Sequence, residues 1–360
     1  MKNLVICCVC LIGAMSTGFS LCVDAQQTEP VDAKPEFRFD AVIREAGDMP
    51  RLYSLLVSWK GELVLERYFN GSRPTQVVSV KSASKSIISA LVGIAIDQGQ
   101  IKNIDQPISD YFGERLAGDA DAAKRNITIK DLLTMQAGLA STSNRNYGAW
   151  VLSPDWIGYA LKQPMQSPPG TRMQYSTGNT HLLSAILTQA TGMDTLQFAR
   201  KVLGEPLGFH LAAWPRDPQG IYFGGNDMEL TPRQMLSFGE LYLNGGRANG
   251  KQIVPAAWVE ASLQPHAVST REHGRYYGYC WWIREMGGFE TPYAWGYGGQ
   301  FIILVPELDL VVVTTSNSIP NDDRRTHRRD IQELVETDII MSVAATLGHP
   351  QAQTVRSSVD

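Results

Sequence analysis

Ser82 and Lys85 stand three residues apart at the head of "VVSVKSASKSIISALVGIAIDQGQ" (77–100), where polar residues crowd one end before Ile87, Ile88, Leu91, Val92, Ile94, Ala95 and Ile96 take over. A surface helix spreads its polar residues along one side, so this pattern reads as a buried helix whose first turn opens onto something other than core. On a helix, positions i and i+3 share a face, which sets the Ser82 hydroxyl beside the Lys85 amine. The macrodipole at a helix N-terminus and partial burial both disfavour a cation, leaving Lys85 able to be neutral near pH 7 and to take the serine's proton. That is the chemistry of an S-x-x-K nucleophile. The tetrapeptide alone carries little weight. The spacing arises by chance in a chain of this length, and a capping serine with a solvated lysine fits it as well.

Two later stretches supply company. In "PGTRMQYSTGNTHLL" (169–183), Tyr175 is held at a turn before a helix, where it can relay protons if a nearby cation lowers its pKa. "WGYGGQFIILV" (295–305) is a Gly-rich entry to an apolar strand. Gly298 and Gly299 there let a substrate lie close against the strand edge, and the backbone N–H of Gln300 can pair with that of Ser82 as an oxyanion hole. Other chemistries find no support. The chain has no G-x-S-x-G, H-E-x-x-H or G-x-x-x-x-G-K-[ST], and its six histidines are scattered without metal-ligand spacing. His181, just after "YSTGNT", reads as a helix residue in a hydrogen bond. No metal and no cofactor is implied.

The elements that must position these residues follow from periodicity and punctuation. "LYSLLVSWKGELVLERYF" (52–69) is a hairpin broken at Lys60-Gly61, and the helix of Ser82 ends near Gly99. From about 105 to 250 the pattern is mainly helical. Thr128 opens a short helix, "THLLSAILTQATG" stops at Gly192, and Thr231-Pro232 opens a third helix closed by Gly245-Gly246. "YYGYCWWIRE", "YAWGYGGQFIILV" and "LDLVVVTTS" read as strands, the last two joined at Pro306-Glu307, and "IQELVETDIIMSVAATLG" as a closing helix. Strands at both ends with helices between predict an α+β fold: one sheet assembled from both termini, carrying a helical insertion.

With 360 residues, 44% hydrophobic, and a net charge of −4, the chain is an ordinary globular one without the basic face that nucleic acid requires. Lys2, the apolar run "LVICCVCLIGAM" and Val23-Asp24-Ala25 form an expected signal peptide over 1–25, cleaved on export to the periplasm or beyond. An uncleaved anchor is the alternative, because Leu4 to Val23 is nearly long enough to span a bilayer. With the signal cleaved, no membrane span is expected. Of five cysteines, Cys7, Cys8, Cys10 and Cys22 lie in that segment, which leaves Cys280 alone and no internal disulfide. Residues 26–36 and 348–360 read as tails.

The order and spacing of "SASKS", "YST" and "YGG" resemble those of the serine β-lactamase and penicillin-binding-protein superfamily, and most closely its class C-like esterase and amidase branch, which includes 6-aminohexanoate-dimer hydrolases. "ITIKDLLTMQAGL" and "GGQFIILVPELDLVVV" look like stretches of that branch. The resemblance runs from 37 to 347 and implies a β-lactamase/transpeptidase-like fold. In it, an antiparallel sheet flanked by helices (37–105 and 250–347) carries an all-helical lobe (106–249), with the site between. It implies a Ser82 nucleophile, a Lys85 and Tyr175 proton relay, and a small-molecule ester or amide as substrate. Two positions depart from the pattern. Thr177 replaces the asparagine of the family's second motif, with Asn179 close but out of register. Tyr297 replaces the cation of the third, which binds a substrate carboxylate. These departures favour an ester or small amide without an obligatory carboxylate over β-lactam or D-amino-acid peptide cleavage, and a non-turnover sensor is the competing reading. In the resembling branch the loop "STSNRNYGAW" (141–150) borders the pocket, which makes Tyr147 the expected lid over an acyl chain.

Overall fold

The computed structural model describes residues 35–351. The expected signal peptide, nearly all of the 26–36 tail and most of the C-terminal tail lie outside the described residues.

The first hairpin forms where the sequence places its break. Strands β1 (Leu52–Trp59) and β2 (Glu62–Tyr68) are joined through Lys60 and Gly61, whose φ values of +50° and +75° suit a tight two-residue turn. The remaining strands of the main sheet come from the C-terminal third: β3 (Ala267–Val268), β4 (Arg275–Tyr277), β5 (Trp282–Met286), β6 (Phe289–Gly296), β7 (Gln300–Val305) and β8 (Leu310–Ser316). They build one antiparallel sheet in the order β2-β1-β8-β7-β6-β5-β4-β3. β1 lies against β8, with Leu52 opposite Ser316 and Trp59 opposite Leu310, so strands from the two ends of the chain pair directly, one strand in from the β2 edge of the sheet. β7 and β8 are buried along their whole length. Both faces are covered. Helix α4 (Pro232–Leu243) presses Gly239 onto Ile302, Leu304 and Val311 on one face. On the other, Arg284 reaches Glu336 in the C-terminal helical stretch at 3.1 Å.

Helix α1 is Asp40–Gly47 and α2, the segment that follows Ser82, is Ser84–Asp97. From Ser84 to Ala95 every residue of α2 is buried, the polar Ser84, Lys85, Ser86 and Ser89 included. Helix α3 (Thr177–Thr191) runs alongside it and stops at Gly192, φ +68°. Thr128 and Thr231 both act as N-caps in reciprocal capping boxes, with Asp131 and Gln234. The closing helix is continuous in space but changes pitch, from α5 (Arg324–Glu333) through a π-helical stretch (Leu334–Ile340) to α6 (Met341–Thr346).

Three expectations need correcting. "YAWGYGGQFIILV" is two strands, because the chain reverses over residues 297–299 between β6 and β7. "YYGYCWWIRE" is broken by a bend at which Cys280 takes φ +64°; its N–H donates to Leu133 O and its own carbonyl accepts from Ser86 Oγ at 2.7 Å. Helix α4, assigned by sequence to the helical lobe, packs on the sheet instead, because Gly239 lets its backbone close onto Ile302, Leu304 and Val311.

Candidate active site

Ser82 lies in a single turn of 3₁₀ helix, Lys81–Ala83, that leads into α2. The approach to it is clamped. Residues Val78–Ser79 pair with Glu229–Leu230, and Val80 N–H donates to Met228 O at 2.8 Å. Lys81 holds φ +50° and forms a 2.6 Å ion pair with Asp227, itself at φ +60°; the same carboxylate oxygen accepts from Ser79 Oγ at 2.8 Å. Two left-handed residues, a conformation uncommon for non-glycine side chains, are thus locked to each other immediately before the serine.

The Lys85 side chain is 1% exposed and turns back onto the same turn. Its Nζ lies 3.3 Å from Ser82 Oγ and 3.3 Å from Thr177 Oγ1, and it donates to the carbonyl of Gly225. Burial lowers its pKa to about 7, with the Asp227 carboxylate pulling weakly the other way. Burial drives the thiol of Cys280 up to about 12, so this neighbour is neutral and offers the ammonium no counter-charge.

Tyr175 completes the group. Its hydroxyl lies beside the Ser82 side chain, its ring stacks on Trp282 at 5.5 Å and 20°, and Lys85 Nζ is 5.2 Å from the ring centroid. From sequence, the proton relay expected of Tyr175 needs a lowered pKa. The structure has the reverse: burial raises it above the ordinary phenol range, and the Ser82 hydrogen bond offsets only part of the rise. Burial thus holds Tyr175 as a neutral phenol and brings Lys85, of the two, toward neutrality.

Thr177, at the first position of α3, fills the place expected for an asparagine. Its Oγ1 bonds to both Lys85 Nζ and Ser143 Oγ, the latter at 2.9 Å. The first amides of α3 are capped from another loop: Thr177 N–H donates to Ser143 Oγ at 2.9 Å and Gly178 N–H to Thr142 Oγ1 at 2.8 Å. Asn179 is buried two residues on, and Thr177, not Asn179, is the residue that reaches Lys85.

The β6–β7 turn lies against the nucleophile. A Cβ on Gly296 would collide with the carbonyl of Val80, so the strand end sits directly on the segment before Ser82. Gln300 opens β7, and its side chain is tied to the Ser316 backbone by bonds of 2.7 and 3.0 Å. Gly298 and Gly299, at φ +91° and +108°, serve the turn and its packing: Cβ atoms there would strike Ser318 Cα and Ile331 Cδ1. The space they leave is filled by the protein, not by a substrate. Tyr297 is exposed at the tip of the turn. Tyr147 is half-buried; its hydroxyl accepts from Asn226 Nδ2 at 2.7 Å, and its ring stacks near Phe223.

Sequence reasoning missed the segment that carries Gly225. "FGGND" (223–227) packs so tightly on α3 that a Cβ on Gly225 would collide with Thr180 Oγ1 and stand 3.1 Å from Lys85 Nζ. His181 braces it from behind. Its Nε2 is 2.9 Å from Asp217 Oδ2 and its Nδ1 accepts from Gly224 N–H, which sets the Nε2–H tautomer. The doubled glycine before Asn226-Asp227 is the signal that could have marked this close approach. Ser143 was inside a stretch noted only for Tyr147. Among the described residues, no group of three His, Cys, Asp or Glu side chains could hold a metal ion, and no helix is long and apolar enough to cross a membrane.

The Beta-lactamase family model matches residues 39–336, from α1 into the closing helix. The chain belongs to the beta-lactamase family. Within that family it is 27% identical over 346 residues to a 6-aminohexanoate-dimer hydrolase of Paenarthrobacter ureafaciens, covering 87% of this chain and 86% of the relative. Its fold is similar to that of a putative 6-aminohexanoate-dimer hydrolase from Bacillus anthracis, with a TM-score of 0.64, 24% identity, and 82% of both chains covered. It is similar also to EstCE1, a hydrolase with promiscuous acyltransferase activity, with a TM-score of 0.67, 17% identity, and 82% and 98% covered.

Proposed function

We propose that this chain is an exported serine hydrolase that cleaves a small ester or amide through an acyl-enzyme. The observation that carries the reading is the buried Lys85 amine 3.3 Å from Ser82 Oγ, with its pKa brought down to about 7. An amine so placed is partly neutral at physiological pH and can take the hydroxyl proton. Ser82 Oγ then bonds to the substrate carbonyl carbon while its proton passes to Lys85 Nζ. The N–H groups of Ser82 and Gln300 hold the oxyanion. As the C–O or C–N bond breaks, the leaving alcohol or amine receives that proton through the Tyr175 hydroxyl. Water repeats the sequence on the acyl-enzyme, releasing the acid and restoring Ser82. The likeness to a 6-aminohexanoate-dimer hydrolase and to a hydrolase with promiscuous acyltransferase activity supports the substrate class. The apolar N-terminal run after Lys2 supports export.

The test is turnover of para-nitrophenyl butyrate and of the 6-aminohexanoate dimer by the purified protein and by Ser82→Ala. Product accumulating through many turnovers in the wild type only is the expected result. A single stoichiometric burst would identify an acylated sensor instead, and equal product from both proteins would remove Ser82 from the chemistry.

A further inference from the structure

The third-motif cation of the family is absent here, since Tyr297 stands in its place. Positive charge is nevertheless present on the other rim of the site. A cavity of about 320 Å³ opens there, lined by Ser141, Ser143, Asn144, Arg145, Gln174 and Arg271 among others, and by no residue of the β6–β7 turn. It adjoins the reacting groups. Ser143 Oγ bonds to Thr177 Oγ1, Thr177 Oγ1 to Lys85 Nζ, and Lys85 Nζ to Ser82 Oγ. Gln174 directly precedes Tyr175, and Ser141 Oγ donates to the Tyr175 carbonyl at 2.7 Å.

Its lining is hydroxyls, amides and guanidiniums apart from Ala140, and it contains no carboxylate. Arg145 and Arg271 are exposed, and neither guanidinium is engaged by a hydrogen bond or an ion pair among the described residues. The carboxylate next in sequence, Glu272, is taken by Arg275 at 2.7 Å. Two free planar guanidiniums over a polar recess offer the fork-shaped donors that a carboxylate accepts in pairs. The volume suits a carboxylate with a few methylenes.

We propose that this cavity is a carboxylate subsite, and that the substrate is an ester or amide bearing an anionic carboxylate on the portion that lies over Tyr175. The proposal rests on the hydrolase reading above, which supplies the bond to be cut. The carboxylate belongs either to the leaving group or to the acyl group, and two matched pairs of esters separate these cases. The first pair is para-acetoxybenzoate against para-acetoxybenzamide, and the second mono-para-nitrophenyl glutarate against para-nitrophenyl valerate.

In one pair, the wild type should prefer the charged member in kcat/KM. That preference should fall at least about tenfold in Arg145→Gln/Arg271→Gln, chiefly through KM, and Arg271→Lys should keep part of it. The pair that responds names the end of the substrate. An unchanged preference in the double variant, in both pairs, overturns the subsite while leaving the hydrolase reading intact. If no ester is cut, the hydrolase reading fails and calorimetric titration with glutarate at low ionic strength decides the subsite. Saturable binding lost in the double variant supports it, and no binding to the wild type ends it.

Discussion

The Lys85 ammonium donates to the carbonyl of Gly225, which ties the amine of the proposed base to a loop 140 residues away in the chain. The loop's position is set by contact: Gly224 and Gly225 lie too close to α3 for any side chain. The site is therefore held by three separate backbone segments converging on one nitrogen, and each can be tested.

Gly225→Ala should lower kcat by at least about 10²-fold, because the new methyl group meets Thr180 Oγ1 and displaces the carbonyl from Lys85. Removing the obstruction in Gly225→Ala/Thr180→Ala should restore part of the rate. Steady-state kinetics of the two variants check this; a rate in Gly225→Ala equal to the wild type's would show that the loop is not needed.

The two serines on either side of Ala83 should behave oppositely. Ser82→Ala should lose labelling by a fluorophosphonate probe. Ser84→Ala should keep it, since the Ser84 hydroxyl is buried and donates to the Lys81 carbonyl. Ser84→Ala should instead lower Tm, in line with about 1 kcal/mol for a lost buried hydrogen bond. Persistent labelling of Ser82→Ala would contradict the assignment.

The pH dependence follows from the sign of the Lys85 shift. Its folded pKa of about 7 lies below its ordinary value of about 10.4, and the neutral form is the active one, so kcat/KM should rise with pH through about 7. In stability terms, the unfolded chain holds more protons between those two values, so burying Lys85 costs most at or below pH 7 and least near pH 10. Lys85→Met should therefore be inactive yet have a raised Tm at pH 6 to 7, with the gap closing as pH rises. Calorimetric scans across that range read the gap directly, and a constant difference would refute the linkage.

Tyr147→Ala should raise KM by about tenfold with a smaller fall in kcat, because the ring stacked near Phe223 and bonded to Asn226 is preset against the loop that carries Gly225. Kinetics across a series of acyl-chain lengths measure this. Identical constants for every chain length would reduce Tyr147 to a packing residue.

The Ser82–Lys85 spacing, the Lys60-Gly61 turn and the Thr128 and Thr231 caps were legible because each is a local rule: helix periodicity, a left-handed turn pair, a hydroxyl three residues before its amide. What escaped was non-local. Nothing near Tyr175 in sequence announces Trp282, on which it stacks, so the direction of its pKa shift could not be foreseen. The hydroxyls of Thr142 and Ser143 cap α3 from a separate loop. Cys280 sits in a run with every mark of a strand, but its N–H is claimed by Leu133, and the run bends there. Gly298 and Gly299 were read as making room for a ligand, whereas Ser318 and Ile331 occupy that room.

The pairing of β1 with β8 sets an order of events during synthesis. The first hairpin leaves the ribosome early, yet the edge of β1 that faces β8 has no full set of neighbours until residues 310–316 have been made. Contacts of such long sequence separation form late and slowly. A nascent chain stalled before β8 thus cannot own half a site: Ser82 and Lys85 would be present but unhoused. Covalent labelling of Ser82 should accordingly work as a completion assay, silent on every truncated translation product and switched on only once the last strand has joined the first.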